Sequence, residues 1–371
     1  MDPRYRIADT REILTPALVV FRELVQANLE QMISIAGRAA RLRPHCKTHK
    51  IPQITRMELA GGIAKHKCAT FAEAEMLAQC GVGDILLSYN LVGPNIARAV
   101  EFLRKYPQSG LMVQADHGEP ISALGAAMHA AGLSIGVLLD LDVGQHRTGV
   151  PVGPQARALY QMLATTPGIR AGGLHVYDGH QHQKSREERA AAVNREWQPV
   201  VAFRDALIAE GWPVPRVVCG GTGSFPIYAE KTDPAIELSP GTCVFHDAGY
   251  TEHFPDLVFT PAAVLLTRVI SRPASDRVTL DLGYKAVASD PPAGKRLVFP
   301  DLPDAEQVLQ NEEHLVLRTQ RAGEFQPGDE LYALPWHICP STALHQQVYV
   351  ISEGKVVDRW DVVARDRRLT I

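Results

Sequence analysis

The sequence predicts an α/β fold: a (β/α)8 barrel followed by an antiparallel β domain. Three observations carry this reading. From residue 17 to residue 254, short apolar runs alternate with longer amphipathic ones. Each strand-plus-helix unit takes ~30 residues, the spacing of βα units around a parallel sheet, and about eight of them close a barrel. Beyond residue 255 the helical period is lost, and strands and turns replace it. The expected domains are therefore 17–254 for the barrel, with 1–16 and 255–371 together forming the β domain.

The elements follow in order. ALVVF (17–21) reads as a strand and VQANLEQMISIAGRAA as a helix. RLRPHCKTH is strand-like, and PQITRMELA is a helix with Pro52 in its first turn, where a missing N–H costs nothing. GIAKHKCAT is a strand before the helix FAEAEMLAQCG, which closes at Gly81. DILLSYN pairs with the helix PNIARAVEFLRKY. The strands GLMVQAD, SIGVLLDLDV, IRAGGLHVYDG and PRVVCGGTGS continue the series. Between them lie the helices PISALGAAMHAAG, PQARALYQMLATT and REERAAAVNREWQPVVAFRDALIAEG. VFTPAAVLLTRVISR, RVTLDLG, HLVLRTQ, ELYALPW and QQVYVISEGKVVDRWDVV are the strands of the second domain.

Composition narrows the partners. The chain has 371 residues, 46% hydrophobic and 21% charged, with a formal net charge of −3. Nucleic acid and anionic membrane both reward a basic excess, so a small molecule is the expected partner. The six cysteines are scattered with no CxxC pair, which reads as reduced thiols and a cytoplasmic location. The N-terminus, MDPRYRIADTREIL, lacks the apolar core of a secretory signal, and no run approaches the ~20 apolar residues of a membrane helix.

Against this neutral background, RPHCKTHK (43–50) stands out. On a strand, His45, Lys47 and His49 share one face and Lys50 takes the other. Two readings fit Lys47. It is a solvated loop lysine, or it enters the barrel interior, where burial lowers its pKa and makes the amine nucleophilic. Other strand ends are also polar: Lys65, Lys67 and Thr70; Asp140, Asp142, His146 and Arg147; His175, Tyr177, Asp178, His180 and His182. Catalytic residues of barrels sit at such ends. The turns GGTGS (220–224) and SPGTCVF (239–245) are either plain tight turns or phosphate nests of backbone N–H groups. A phosphate nest opposite an amine points to a phosphorylated aldehyde cofactor, pyridoxal phosphate. His337 and Cys339 in WHICP are either a turn histidine with a buried thiol or half of a metal site. The His180-x-His182 pair is a metal pair, a base or a solvated loop.

These motifs resemble one family. TPALVV (15–20), RPHCKTHK, KCATFAEAE (67–75), DILLSYN (84–90), LDVGQHRTGV (141–150), HVYDGHQH (175–182), GGTGS, ELSPGT (237–242), DLGYKA (281–286) and WHICPST are similar to the D-threonine aldolase and D-serine dehydratase family. Its members are fold-type III pyridoxal-phosphate enzymes with a TIM-type, alanine-racemase-like barrel. The resemblance implies that Lys47 is the Schiff-base lysine. It implies Arg147 near the cofactor's phenolic oxygen and Tyr177 at its pyridine nitrogen, left unprotonated by such a partner. Thr222, Gly223, Ser224, Gly241 and Thr242 would form the phosphate cup. His337 and Cys339 would hold a divalent metal, zinc or manganese, on the substrate's β-hydroxyl. The resemblance implies that His182, in a Gln-His pair shifted by one residue from the aldolases' position, would take the hydroxyl proton. The implied activity is cleavage of a D-3-hydroxy amino acid such as D-threonine to glycine and an aldehyde, in a homodimer. Cys339 is the dehydratase marker where the aldolases carry aspartate, so dehydration of D-serine or 3-hydroxy-D-aspartate to a keto acid and ammonia is the alternative. A zinc hydrolase using His180 and His182 is a further one.

Overall fold

The computed structural model describes residues 3–371. It divides into two compact units, one built from the chain up to Gln31 with Thr48–Ile54 and Thr242–Asp366, the other from Met32–Lys47, Thr55–Gly241 and Arg367–Ile371. In chain order the strands are β1 (Ala17–Phe21), then β2 (Lys65–Cys68), β3 (Asp84–Leu87), β4 (Gly110–Ala115), β5 (Ile135–Leu141), β6 (Ile169–Val176), β7 (Val217–Cys219) and β8 (Ile236–Leu238). They continue with β9 (Ala263–Ala274), β10 (Arg277–Leu280), β11 (Leu297–Val298), β12 (Glu306–Gln310), β13 (Leu315–Arg318), β14 (Glu330–Pro335), β15 (Gln347–Ser352) and β16 (Lys355–Asp361).

In the second unit, β2 to β8 form a parallel seven-stranded sheet in sequential order. Residues 42–45 close the ring, with Leu42 bridging Leu238 of β8 and His45 bridging Lys67 of β2. The bonds are Arg43 N–H to the Leu238 carbonyl at 2.8 Å and Lys67 N–H to the Pro44 carbonyl at 2.8 Å.

Inward side chains stack in layers because alternate residues share a face. At the N-terminal end, buried Arg43 meets Glu237 at 2.6 Å and Asp84 at 2.8 Å, and Lys65 meets Glu237 at 3.0 Å. Leu86, Met112, Leu138 and Val218 form the apolar middle layer. Gly136 is required there, since a Cβ would lie 2.8 Å from Met112 Cγ. One step further along the strands are Lys67, Ser88, Gln114, Asp140 and His175. This polar layer can exist because it opens into a cavity.

The first unit holds a nine-stranded sheet, ordered β12-β13-β10-β9-β1-β15-β16 with β14 on β9 and β11 on β14. It is mixed rather than purely antiparallel: β1 and β15 run parallel. The strand ALVVF, expected in the barrel, is β1, which pairs with β9 and β15 instead. All five of its residues are buried. A fully buried apolar run reads the same in either kind of sheet, so the pattern could not choose between them. Val19, Phe21, Val264, Leu266, Tyr332 and Ile351 belong to the core on this sheet.

Candidate active site

A cavity of about 550 Å³ opens at the C-terminal ends of the barrel strands. His45, Lys47, Lys67, Asp140, Arg147, His175 and Tyr177 are among its lining residues. Local structure explains each placement. The strand-like segment ends at His45, and Cys46–Thr48 form a 3-10 turn. The expected face shared by His45, Lys47 and His49 therefore breaks after His45. Lys47 N–H donates to His45 Nδ1 at 3.2 Å, which keeps both at the mouth. His49 is buried elsewhere, its Nδ1 accepting the Ile51 N–H at 3.0 Å, and Lys50 takes a φ of 56°. Lys47 is half-buried on the cavity wall, neither packed in the interior nor solvated on a loop.

The turn after Lys67 is set by a capping box. The Thr70 hydroxyl accepts the Glu73 N–H at 3.1 Å, and the Glu73 carboxylate accepts the Ala69 N–H at 2.7 Å. The loop after β5 is anchored on both sides of Arg147. Asp142 accepts the N–H groups of Gly144 at 2.9 Å and His146 at 3.0 Å. The Thr148 hydroxyl donates to Asp140 at 2.7 Å, and Gly149 N–H donates to Asp116 at 2.8 Å. Gly149 has a φ of +94°, and a Cβ there would strike the Asp142 N at 2.7 Å.

Asp140 is the hub of the polar layer. It also takes His175 Nδ1 at 2.6 Å and Gln114 Nε2 at 2.9 Å. Burial pushes the His175 pKa down despite this carboxylate. Lys67 is buried, and burial together with the Lys47 charge lowers its pKa to about 7, against the pull of Asp140. Arg147 stacks on Tyr177, and Lys67 Nζ lies 5.9 Å from the same ring centre. Glycines flank that ring: a Cβ on Gly221 would lie 3.2 Å from it, and one on Gly179 would lie 2.3 Å from the phenol oxygen.

Among the expected site residues, the structure thus gathers Lys47, Arg147 and Tyr177. It adds Lys67, Asp140 and His175, which the sequence marks only as polar strand ends. The glycine turn is placed next to Tyr177 through Gly221, yet its residues are not on the cavity wall. The Ser224 hydroxyl donates to Asp178 at 2.6 Å and accepts the Gly221 N–H at 3.0 Å, so its oxygen shapes the turn. The Thr222 hydroxyl accepts the Gly241 N–H at 3.2 Å, tying the two glycine turns together. Thr242 lies in the first unit, its hydroxyl 3.6 Å from Cys339 Sγ.

His182 is exposed on the loop before the helix Arg186–Ala209 and is not on the cavity wall. His180 turns towards Glu196 at 3.1 Å.

In the first unit, WHICP is not extended. His337 precedes the helix Ile338–Leu344, and Cys339 lies in its first turn. Asp247 fixes this start by accepting the Ile338 N–H at 3.0 Å. His337 Nδ1 meets Asp290 at 2.6 Å. Burial opposes its charge, but hydrogen bonds to Cys339 and Asp290 raise its pKa to about 9. The Cys339 Sγ also lies 3.2 Å from the Thr48 hydroxyl. Among the described residues no group of three or more His, Cys, Asp or Glu side chains is set to hold a metal. His337 and Cys339 offer two donors, so a cation there would have to take its remaining ligands from substrate and water, with Asp290 orienting the imidazole from behind.

The cavity fits pyridoxal phosphate on chemical grounds. It is large enough for a small heterocycle, and its wall carries two amines and a guanidinium with an aromatic ring. Among the described residues no helix is long and apolar enough to cross a membrane.

Comparisons with known proteins agree with this geometry. The family described as alanine racemase, N-terminal domain, matches residues 22–248, and the "Putative serine dehydratase domain" matches residues 262–351. A D-threonine aldolase from an Arthrobacter species is 33% identical over 356 residues, 95% of this chain and 92% of that one. The solved D-threonine aldolase of Filomicrobium marinum superposes with a TM-score of 0.88 at 29% identity, covering 96% of each chain. The D-threo-3-hydroxyaspartate dehydratase of Delftia sp. HT23 gives 0.84 at 25% identity, over 94% of this chain and 97% of that one. The chain belongs to the D-threonine aldolase and D-serine dehydratase family of fold-type III pyridoxal-phosphate lyases, with an alanine-racemase-like barrel.

Proposed function

We propose that this protein is a pyridoxal-phosphate- and divalent-metal-dependent aldolase of D-3-hydroxy amino acids, D-threonine among them, that cleaves the Cα–Cβ bond to glycine and an aldehyde. The observation that carries the reading is Lys47 on the wall of a polar cavity that also contains Arg147 and Tyr177. The 33% identity to a D-threonine aldolase over most of both chains supports this activity.

Pyridoxal phosphate, when bound, supplies an electron sink for the bond broken at Cα. Lys47 would hold it through Nζ. Arg147 and Tyr177, stacked on each other, would orient its ring. The backbone N–H groups around Gly223 would meet its phosphate, rather than the Ser224 hydroxyl and N–H, which bond within the turn. His337 and Cys339 would hold a divalent cation, which lowers the pKa of a hydroxyl bound to it. His182 would take that hydroxyl proton, with general-base geometry deciding which bond breaks.

One observation favours a second reading, dehydration to a keto acid and ammonia. His182 is exposed and off the cavity wall, which leaves the bases of the wall itself, Lys47 among them, to act on the Cα proton. Cys339 in place of an aspartate agrees with it. Proton NMR of the cofactor- and metal-loaded protein with D-threonine separates the two. Glycine with acetaldehyde supports the aldolase; 2-oxobutanoate replaces it with the dehydratase.

A further inference from the structure

Two lysines of β2 point into the barrel, two residues apart, and the fold treats them differently. Lys65 has a carboxylate partner, Glu237, at 3.0 Å. Lys67 is only 3% exposed, yet its amine has neither a hydrogen bond nor an ion pair among the described residues. It faces the cavity beside Lys47. Lysines are almost never buried unless paired, because an unpaired buried amine carries its full desolvation cost.

The charges around Lys67 sharpen the point. Arg43 and Lys47 come from the ring-closing segment and the turn after it, and Arg147 comes from the loop after β5. Asp140 on β5 is the carboxylate in reach. His45, Tyr89, Asp116, His175 and Tyr177 complete the titratable lining, and Asp116 already accepts from Asn90 Nδ2 and the Gly149 N–H. Arg43 is already matched by Glu237 and Asp84, and Asp140 is shared with His175, Gln114 and Thr148. The cavity end of the barrel is thus left with excess positive charge, carried on an amine that has no ion-pair partner among the described residues.

We infer that Lys67 is a second cofactor-binding lysine, which pairs with an acidic oxygen of pyridoxal phosphate, either the phosphate or the ring phenolate. This rests on the proposed reading of the cavity and deepens it: Lys47 holds the cofactor covalently, and Lys67 holds it by charge. A bound anion would restore the full charge that burial and the neighbouring cations oppose.

The test compares wild-type, Lys67→Met and Lys67→Arg holoenzymes. Equilibrium dialysis gives the affinity for pyridoxal phosphate, and the absorbance of the bound cofactor is followed against pH. Loss of a charge-assisted hydrogen bond should weaken binding about tenfold to a hundredfold in Lys67→Met. Lys67→Arg should stay near wild type. If the partner is the phenolate, the midpoint of the absorbance titration also rises in Lys67→Met, because removing a nearby cation eases protonation of the cofactor–lysine linkage. If it is the phosphate, affinity falls and the midpoint stays. Lys67→Gln keeps a donor without the charge, and should show the same loss if the methionine variant does not fold. A neutral variant with wild-type affinity and a wild-type midpoint overturns the inference. A wild-type protein that carries no cofactor on Lys47 overturns the reading beneath it.

Discussion

The Arg147 guanidinium lies over the Tyr177 ring, its central carbon 4.9 Å from the ring centre. A planar cation on an aromatic face fixes both groups, and lysine cannot reproduce the stacking. Arg147→Lys should therefore lower kcat/KM for a D-3-hydroxy amino acid by about twofold to fivefold, as the loss of one exposed cation–π contact predicts. Gly179→Ala attacks the same pair from the other side. Its new Cβ would lie 2.3 Å from the Tyr177 oxygen, so the ring has to move. Displacing a positioning group by ~1 Å costs on the order of a hundredfold in rate. Steady-state kinetics on folded variants check both; unchanged kcat/KM in Gly179→Ala would mean that the Tyr177 position is unimportant.

His246 predicts acid sensitivity. It is fully buried, and neither ring nitrogen has a hydrogen-bond partner among the described residues. Burial lowers its pKa from 6.5 to about 4. Between those values the unfolded chain takes up a proton that the folded chain refuses. Stability from this group is thus complete above pH 6.5 and falls as pH drops towards 4, by up to about 3 kcal/mol. Thermal unfolding at pH 7 and pH 5 should show a smaller drop in Tm for His246→Asn, which tolerates the local φ of 50°, than for wild type. Equal drops would assign the acid sensitivity to other groups.

Asp290 predicts a role behind the proposed metal donors. Its 2.6 Å bond to His337 Nδ1 fixes the ring. Treatment with a chelator should abolish turnover, and added zinc or manganese should restore it. Asp290→Asn should weaken the restoring metal about tenfold to a hundredfold, the usual cost of losing an orienting carboxylate. Activity indifferent to chelation would remove the metal from the account.

Much of this was legible in the chain. Short apolar runs such as SIGVLLDLDV and IRAGGLHVYDG place Asp140, His175 and Tyr177 at strand ends and Arg147 in the loop that follows, and the structure brings them to one cavity. Three things were not legible, each because they depend on distant partners. ALVVF looks identical in a barrel or a mixed sheet, and its pairing with residues near 265 and 350 decides the matter. RPHCKTHK reads as continuous strand, but Cys46–Thr48 coil into a 3-10 turn, so His49 leaves the face of His45. Lys65 and Lys67 are equivalent by alternation; only Glu237, 172 residues from Lys65, separates a paired lysine from an unpaired one.

The proposed role of Lys47 is to carry the cofactor. Its most direct test is borohydride reduction of the protein loaded with pyridoxal phosphate, followed by peptide mass mapping. A pyridoxyl-phosphate mass is expected on the peptide containing Lys47, absent from Lys47→Ala. A label on another lysine, or none at all, would contradict it.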